Sequence, residues 1–380
     1  MPESAILPGG DLVLGGVASP VEHFYDLTGY YSQPLVVRLT PSGQEVWRVT
    51  LPATNDAYVN SMVVGADGTI YLAGSFSGEL TAGATTLTSS GVDALVVALS
   101  VNGEVLWAKQ FGNGAAQRAW HLAMDGTGDL IIGGPFMGTI DFGGGLLSAT
   151  NGEDIFLARL DASGEHIASR AIDDAEYDTL WSLDVASDGT VLIGAEHTED
   201  FMVSLYVAAY APDLGVELWR TDTNMSEPQV RARADGTLVT VGSYLQMLHL
   251  DEGGAQISAV SYDAGTFGLL YPRLAVTPDG LNCVTGAALS TVDLGTGPLT
   301  PRRRRRRSHR VLRCRLDAYV RDPARRGHLV RRRALSPARF RKRARRWTIR
   351  GRYRDLRRRS DLAGAPRRLR GAAQSLRPGV

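Results

Sequence analysis

Trp120 to Ile172 decides the fold. It opens as Trp120-His-Leu-Ala-Met-Asp125-Gly-Thr-Gly-Asp129-Leu-Ile-Ile-Gly-Gly134, passes through Gly138-Thr-Ile-Asp-Phe-Gly-Gly-Gly145, and closes as Asp154-Ile-Phe-Leu-Ala-Arg-Leu160-Asp-Ala-Ser-Gly164-Glu-His-Ile-Ala-Ser-Arg-Ala-Ile172. Short apolar runs that alternate with polar residues and are bounded by Asp, Gly and Ser are the pattern of half-buried strands joined by tight turns. Four such runs fit in the stretch. A single unit of this kind cannot cover its own apolar face, so it must recur.

It does recur. A glycine at the turn between the first two runs stands at Gly10, Gly68, Gly128, Gly189, Gly236 and Gly280, in steps of 58, 60, 61, 47 and 44 residues. Six positions after each comes a small residue: Gly16, Gly74, Gly134, Ala195, Gly242 and Gly286. Six positions before comes Met62, Leu122, Leu183, Val230 or Leu274, with Ser4 the exception. Four of the turns carry Asp-Gly, which suits a two-residue hairpin in which glycine supplies positive φ.

The second half of each unit predicts another hairpin, turning at Gly43, Gly103, Gly164, Gly215 and Gly254. Trp47, Trp107 and Trp219 each follow that glycine by four positions, while Ala168 and Ser258 replace the ring in two units. A large side chain recurring once per unit is expected to be buried between neighbouring sheets, where it can remove ~150–250 Å² from water. The middle loop Gly138–Gly143, echoed at Gly78–Gly83 and Thr291–Gly297, is missing from the fourth and fifth units, so length varies on one face. In the sixth unit the strand expected after Pro301 is replaced by Arg302–Arg307.

These pieces resemble the SBBP β-propeller repeats of large exported bacterial proteins. The resemblance is carried by Asp67-Gly-Thr-Ile-Tyr-Leu-Ala-Gly74, Gly103-Glu-Val-Leu-Trp-Ala-Lys109, Ile140-Asp-Phe-Gly-Gly-Gly145 and Glu153-Asp-Ile-Phe-Leu-Ala-Arg-Leu-Asp161, and it spans about residues 4–301. It implies an all-β propeller and an exported or cell-surface setting, and it implies no particular activity. The expected architecture is therefore five complete four-stranded blades and a sixth that is broken off.

Charge divides the chain at the same place. Residues 1–301 hold 10 basic and 36 acidic side chains, a net −26; residues 302–380 hold 31 and 4, a net +27. The second segment draws 30 of its 79 residues from arginine and cannot bury a core on that composition, so disorder or frayed helix is expected there. Its arginines and interleaved aromatics would bind nucleic acid electrostatically. An arginine run in GC-rich coding sequence is Ala, Gly or Pro in the neighbouring frames, and this one interrupts a repeat, so a shifted reading frame from about Pro301 is the preferred account.

Two cysteines, Cys283 and Cys314, give neither a disulfide framework nor a metal spacing. The start Met1-Pro2-Glu3-Ser4 has no signal-peptide pattern, and no apolar run reaches the length of a membrane span.

No nucleophile elbow, phosphate loop or zinc helix is present. Asp125-Gly-Thr-Gly-Asp129 could offer oxygens to calcium, but it lacks a further carboxylate at loop spacing. Gly143–Gly145 is expected to be a flexible loop rather than an anion cradle. His23, His121, His166, His197 and His249 share no register. No catalytic, cofactor or metal residue is therefore assigned. The expected role is a monomeric, non-catalytic scaffold or interaction module with a protein or carbohydrate ligand on one face. The alternatives are a quinoprotein-like propeller enzyme and nucleic-acid binding through the basic segment.

Overall fold

A computed structural model of the chain describes residues 3–18, 32–150, 152–173, 177–263, 265, 268–277, 280–288, 290–293, 298–300 and 318–320. The chain divides into two units, Met1–Ala324 and Arg325–Val380. The second lies outside the described residues, as does the expectation of disorder or frayed helix for the segment after Val320.

All regular structure among the described residues is β-strand. Each repeat forms one antiparallel sheet whose strands lie side by side in chain order. The third sheet, for example, runs His121–Met124, Leu130–Phe136, Asp154–Leu160 and His166–Ile172. Among the described residues five such four-stranded sheets form, and the sixth has three strands. The middle loops are hairpins on the same connection: Ile70–Ala82 and Thr85–Leu99 extend as long strands, and Thr139–Asp141 pairs with Leu146–Ser148. In the sixth sheet the third strand is Ala318–Val320, which pairs with Val284 through Asn282 and comes later in the chain than the repeat predicts. That strand belongs to the segment that composition sets apart at residue 302.

The six register glycines occupy equivalent turns, with φ between 81° and 94°. The turns are not the two-residue kind that Asp-Gly predicts. Gly68 N–H donates to the Gly65 carbonyl and Gly65 N–H to that of Thr69, and among Ala66, Asp67 and Gly68 only the glycine has positive φ. This is a type I turn followed by a left-handed residue, and the Asp67 carboxylate accepts from the N–H of Thr69. The small residue six places on is needed because the second strand passes close to the first. A β-carbon on Gly74 or Gly134 would collide with the carbonyl oxygen of Tyr58 or Arg118.

Between consecutive sheets lies an apolar layer. Val13 and Val36 meet Ile70, Leu72, Leu95 and Val97; Tyr71 and Val96 meet Leu130, Ile132 and Phe156; Ile131 and Leu157 meet Ile193 and Tyr206. Smaller layers join the fourth sheet to the fifth and the fifth to the sixth. Most of these side chains are wholly buried, each contributing ~1.5–3 kcal/mol. Repeated sheets packed face to face around their first strands are a β-propeller.

The recurrent tryptophans sit further out than the sequence predicts. Trp47, Trp107 and Trp219 are half-buried at the outer edge, each packed on an intersheet layer and donating Nε1–H to a carbonyl of the next sheet's outer turn: Val101, Ala162 and Glu252. One of the turn assignments also changes. In the fourth sheet the left-handed residue is Leu214, with φ 59°, rather than Gly215, and the turn is one residue longer, so Tyr210 pairs with Glu217.

Candidate ligand site at the mouth of the central channel

The first strands Glu3–Ile6, Ala57–Val64, His121–Met124, Tyr177–Val185, Gln229–Ala232 and Leu269–Val276 pack on one another in succession. Met62, Leu122, Leu183, Val230 and Leu274 point into the intersheet layers and are buried. Strand alternation turns the residue before each the other way. That position carries one polar side chain per unit: Glu3, Ser61, His121, Ser182, Gln229 and Arg273.

Several of these stitch neighbouring first strands together. His121 Nε2 bonds the Leu180 carbonyl at 3.1 Å, Ser182 Oγ donates to the Pro228 carbonyl at 2.9 Å and accepts from Val230 N–H, and Gln229 Nε2 donates to the Trp181 carbonyl at 2.9 Å. Irregularities in pairing fall between Val59 and Ser61, Leu180 and Ser182, and Leu270 and Arg273. An extra residue in a strand re-aims a side chain, and here Asn60, Trp181, Tyr271 and Pro272 are turned inward.

The result is a cavity of about 230 Å³ to which five units contribute: Asn60; Trp120 and His121; Leu180 and Trp181; Glu227 and Gln229; Tyr271, Pro272 and Arg273. It lies at the end of the channel away from the turn glycines, since these residues stand at the starts or middles of the first strands. Glu227 and Tyr271 hold equivalent positions in adjacent units, three before Val230 and Leu274, and both are left-handed, with φ 54° and 53°. Neither is glycine, so the backbone there is strained at the cavity wall.

Burial first, then the charges of Arg273 and Arg231, hold the His121 pKa down to about 3, so its imidazole is neutral. With Nε2–H donated to Leu180, Nδ1 is left as an acceptor. Burial raises the Glu227 carboxyl, against hydrogen bonds from Ser243 and the Tyr271 backbone and the charge of Arg273. Burial likewise raises Glu3, which is within electrostatic reach of Arg273 and Arg231. Gln229 is 2% exposed, and its Oε1 has no donor among the described residues.

Of the five body histidines the mouth contains His121 alone. His166 bonds Ser169 on the fourth strand of its sheet, His197 stacks on Tyr206, and His249 bonds Ser258; His23 lies outside the described residues. The possible calcium loop is occupied by a cation of the chain itself, since Arg159 pairs with both Asp125 and Asp129. In the glycine loop the Gly143 and Gly145 N–H groups are spent on Asp141 Oδ1 at 2.7 and 3.1 Å. Among the described residues no three His, Cys, Asp or Glu side chains stand where they could hold a metal ion, and no helix is long and apolar enough to cross a membrane. The mouth residues escaped the sequence reading because each unit supplies a different side chain. Reading one and two places before the Leu-type position of every unit would have found Trp120, His121, Trp181, Gln229 and Arg273.

No family model matches the chain, and no curated protein matches it. Among solved structures it is similar to hydrazine synthase of Kuenenia stuttgartiensis, with TM-score 0.50 and 13% identity over 75% of this chain and 80% of that one. It also matches the Dos1 propeller, with TM-score 0.48 and 12% identity over 76% and 79%, and BamB of Moraxella catarrhalis, with TM-score 0.34 and 14% identity over 75% and 79%. At these identities the likeness is one of fold alone.

Proposed function

We propose that the chain is a non-catalytic binding module, an SBBP-type propeller of an exported or cell-surface bacterial protein, and that it takes its ligand in the mouth of the channel. The observation that carries this is the convergence of five units on one cavity walled by Trp120, Trp181 and Tyr271, with a buried, unpartnered acceptor on Gln229. Concave sites with apolar walls and a few fixed polar groups are where propellers and other folds hold small ligands. Binding is favoured over catalysis by where the polar atoms are spent. The Ser182 hydroxyl is given to a backbone carbonyl, and His121 uses its N–H on another, so these two are not set as a nucleophile and its base.

The test is tryptophan labelled with fluorine, with the signals of residues 120 and 181 assigned by substitution. A panel of short peptides and of neutral and acidic sugars is titrated into the full chain while turnover of each is monitored. Some panel members are expected to move those two signals saturably and without turnover. A panel that leaves both signals in place, or any member consumed by the protein, overturns the proposal.

A further inference from the structure

We infer that the mouth seats a single sugar-acid ring, its carboxylate on Arg273, a hydroxyl on His121, and the ring against the tryptophans. This deepens the binding-module reading and rests on it.

Four features point to that chemistry. Arg273 is half-buried in the cavity wall and, among the described residues, makes no hydrogen bond or ion pair, whereas its neighbour Arg231 spends Nη1 on the carbonyls of Val230 and Leu183. The nearby Glu227 carboxyl is engaged by Ser243 and the Tyr271 backbone. A guanidinium left with its fork open takes a carboxylate bidentately.

Next, the unpaired atoms are acceptors. The Gln229 amide is fixed by its Nε2 bond to Trp181, which leaves Oε1 a buried acceptor with no donor behind the wall, while His121, with Nε2–H given to Leu180, offers Nδ1 as an acceptor at the cavity. A buried acceptor is satisfied only by a ligand or water that brings O–H or N–H. A plain aromatic acid brings none beyond its carboxyl; a sugar acid brings several.

The walls carry three aromatic rings. Trp181 is held in place by its Nε1 bond to Glu196 at 3.0 Å, and Trp120 and Tyr271 line the cavity beside it. Lastly, 230 Å³ is the room of about eight waters at ~30 Å³ each, which suits one pyranose ring.

The experiment is calorimetric titration of the full chain with glucuronate, glucose and benzoate, using wild type, Arg273→Gln and Arg273→Lys, with thermal melts confirming that each variant folds. Glucuronate is expected to bind at least tenfold more tightly than glucose, which lacks the carboxylate, and than benzoate, which lacks the hydroxyls. Arg273→Gln should weaken glucuronate tenfold or more without changing glucose, and Arg273→Lys should fall between. The inference is overturned if glucuronate and glucose bind alike, if benzoate matches glucuronate, if Arg273→Gln leaves glucuronate affinity unchanged, or if folded wild type shows no saturable uptake of glucuronate. In that last case, movement of the Trp120 and Trp181 signals by another panel member leaves the binding module standing without the sugar acid; no movement by any removes both.

Discussion

The indole of Trp107 lies on Gly164 of the following sheet, with Cη2 3.0 Å from where a β-carbon on residue 164 would stand. Trp47 lies on Gly103 and Trp219 on Gly254 in the same way. In the third unit Ala168 replaces the ring, and the turn it faces in the next sheet places Leu214 in the left-handed position with its side chain 1% exposed. Ring and turn glycine therefore form one device across these three junctions. Opposite Ala168 a leucine fills the space instead, at the cost of a strained φ.

Gly164→Ala should destabilise the protein by about 1–3 kcal/mol, because the new methyl both meets the indole and sits at φ 80°. Gly126→Ala is the control: nothing lies within 4 Å of its β-carbon position and its φ is not positive, so its effect should stay within about 0.5 kcal/mol. Equilibrium unfolding in urea compares the two. Equal effects would mean that the indole does not rest on Gly164.

Arg159 is 7% exposed and links the inner turn of its own sheet to the next sheet, pairing with Asp125 and Asp129 and donating to the Pro212 carbonyl at 2.6 Å. Arg159→Met strands the Asp125 carboxylate, whose side chain is 4% exposed, and should cost about 3–5 kcal/mol. Adding Asp125→Asn removes the stranded charge, so the double variant should be more stable than Arg159→Met alone. Unfolding free energies decide, and a double variant no better than the single would rule out an uncompensated charge as the cause.

The repeat and its sheet order were legible in the sequence because the register glycines answer the same geometric demand in all six units and the Leu-type positions in five of them. What was not legible depended on contacts between units. Leu214 takes a conformation ordinarily left to Gly215 because the missing ring of Ala168, 46 positions earlier, leaves room for it. The Asp-Gly turns hide a third residue, since aspartate alone does not show whether φ is positive at one position or two. The mouth was invisible for the opposite reason to the fold. A glutamate, two serines, a histidine, a glutamine and an arginine share no chemical signature, only a position.

The two-residue turn that Asp-Gly predicts is found instead at Asp200-Phe201, both left-handed at φ 49° and 63°, between the paired Glu199 and Met202. Phe201 is wholly exposed there and packs on nothing. Phe201→Gly should therefore stabilise the fold by about 1 kcal/mol, since glycine adopts this conformation without the β-carbon clash. A thermal melt reads this as a raised midpoint; a lowered one would mean that the ring has a partner in the folded protein.

His121 makes a pH dependence testable. Its folded pKa, about 3, lies below the ~6.5 of an unfolded histidine, so between those values the unfolded chain takes up a proton that the folded chain refuses. Its contribution to stability is complete above pH ~6.5 and is lost as pH falls, by at most ~1.4 kcal/mol per unit. Carboxyls work the other way. Asp154, raised to about 6 chiefly by burial, keeps its proton in the folded state down to the unfolded value, as do Asp93, Asp184, Glu3 and Glu227, also raised, so these stabilise as the solution becomes more acid. The whole-protein curve mixes both signs, and only a difference isolates the histidine. His121→Gln keeps a donor for the Leu180 carbonyl and cannot titrate. Unfolding free energy measured for both proteins from pH 7 to pH 4 should show wild type losing ground to the variant steadily across the interval. A difference that stays level would mean that His121 accepts its proton in the folded protein, and that Arg273 and Arg231 do not hold it neutral.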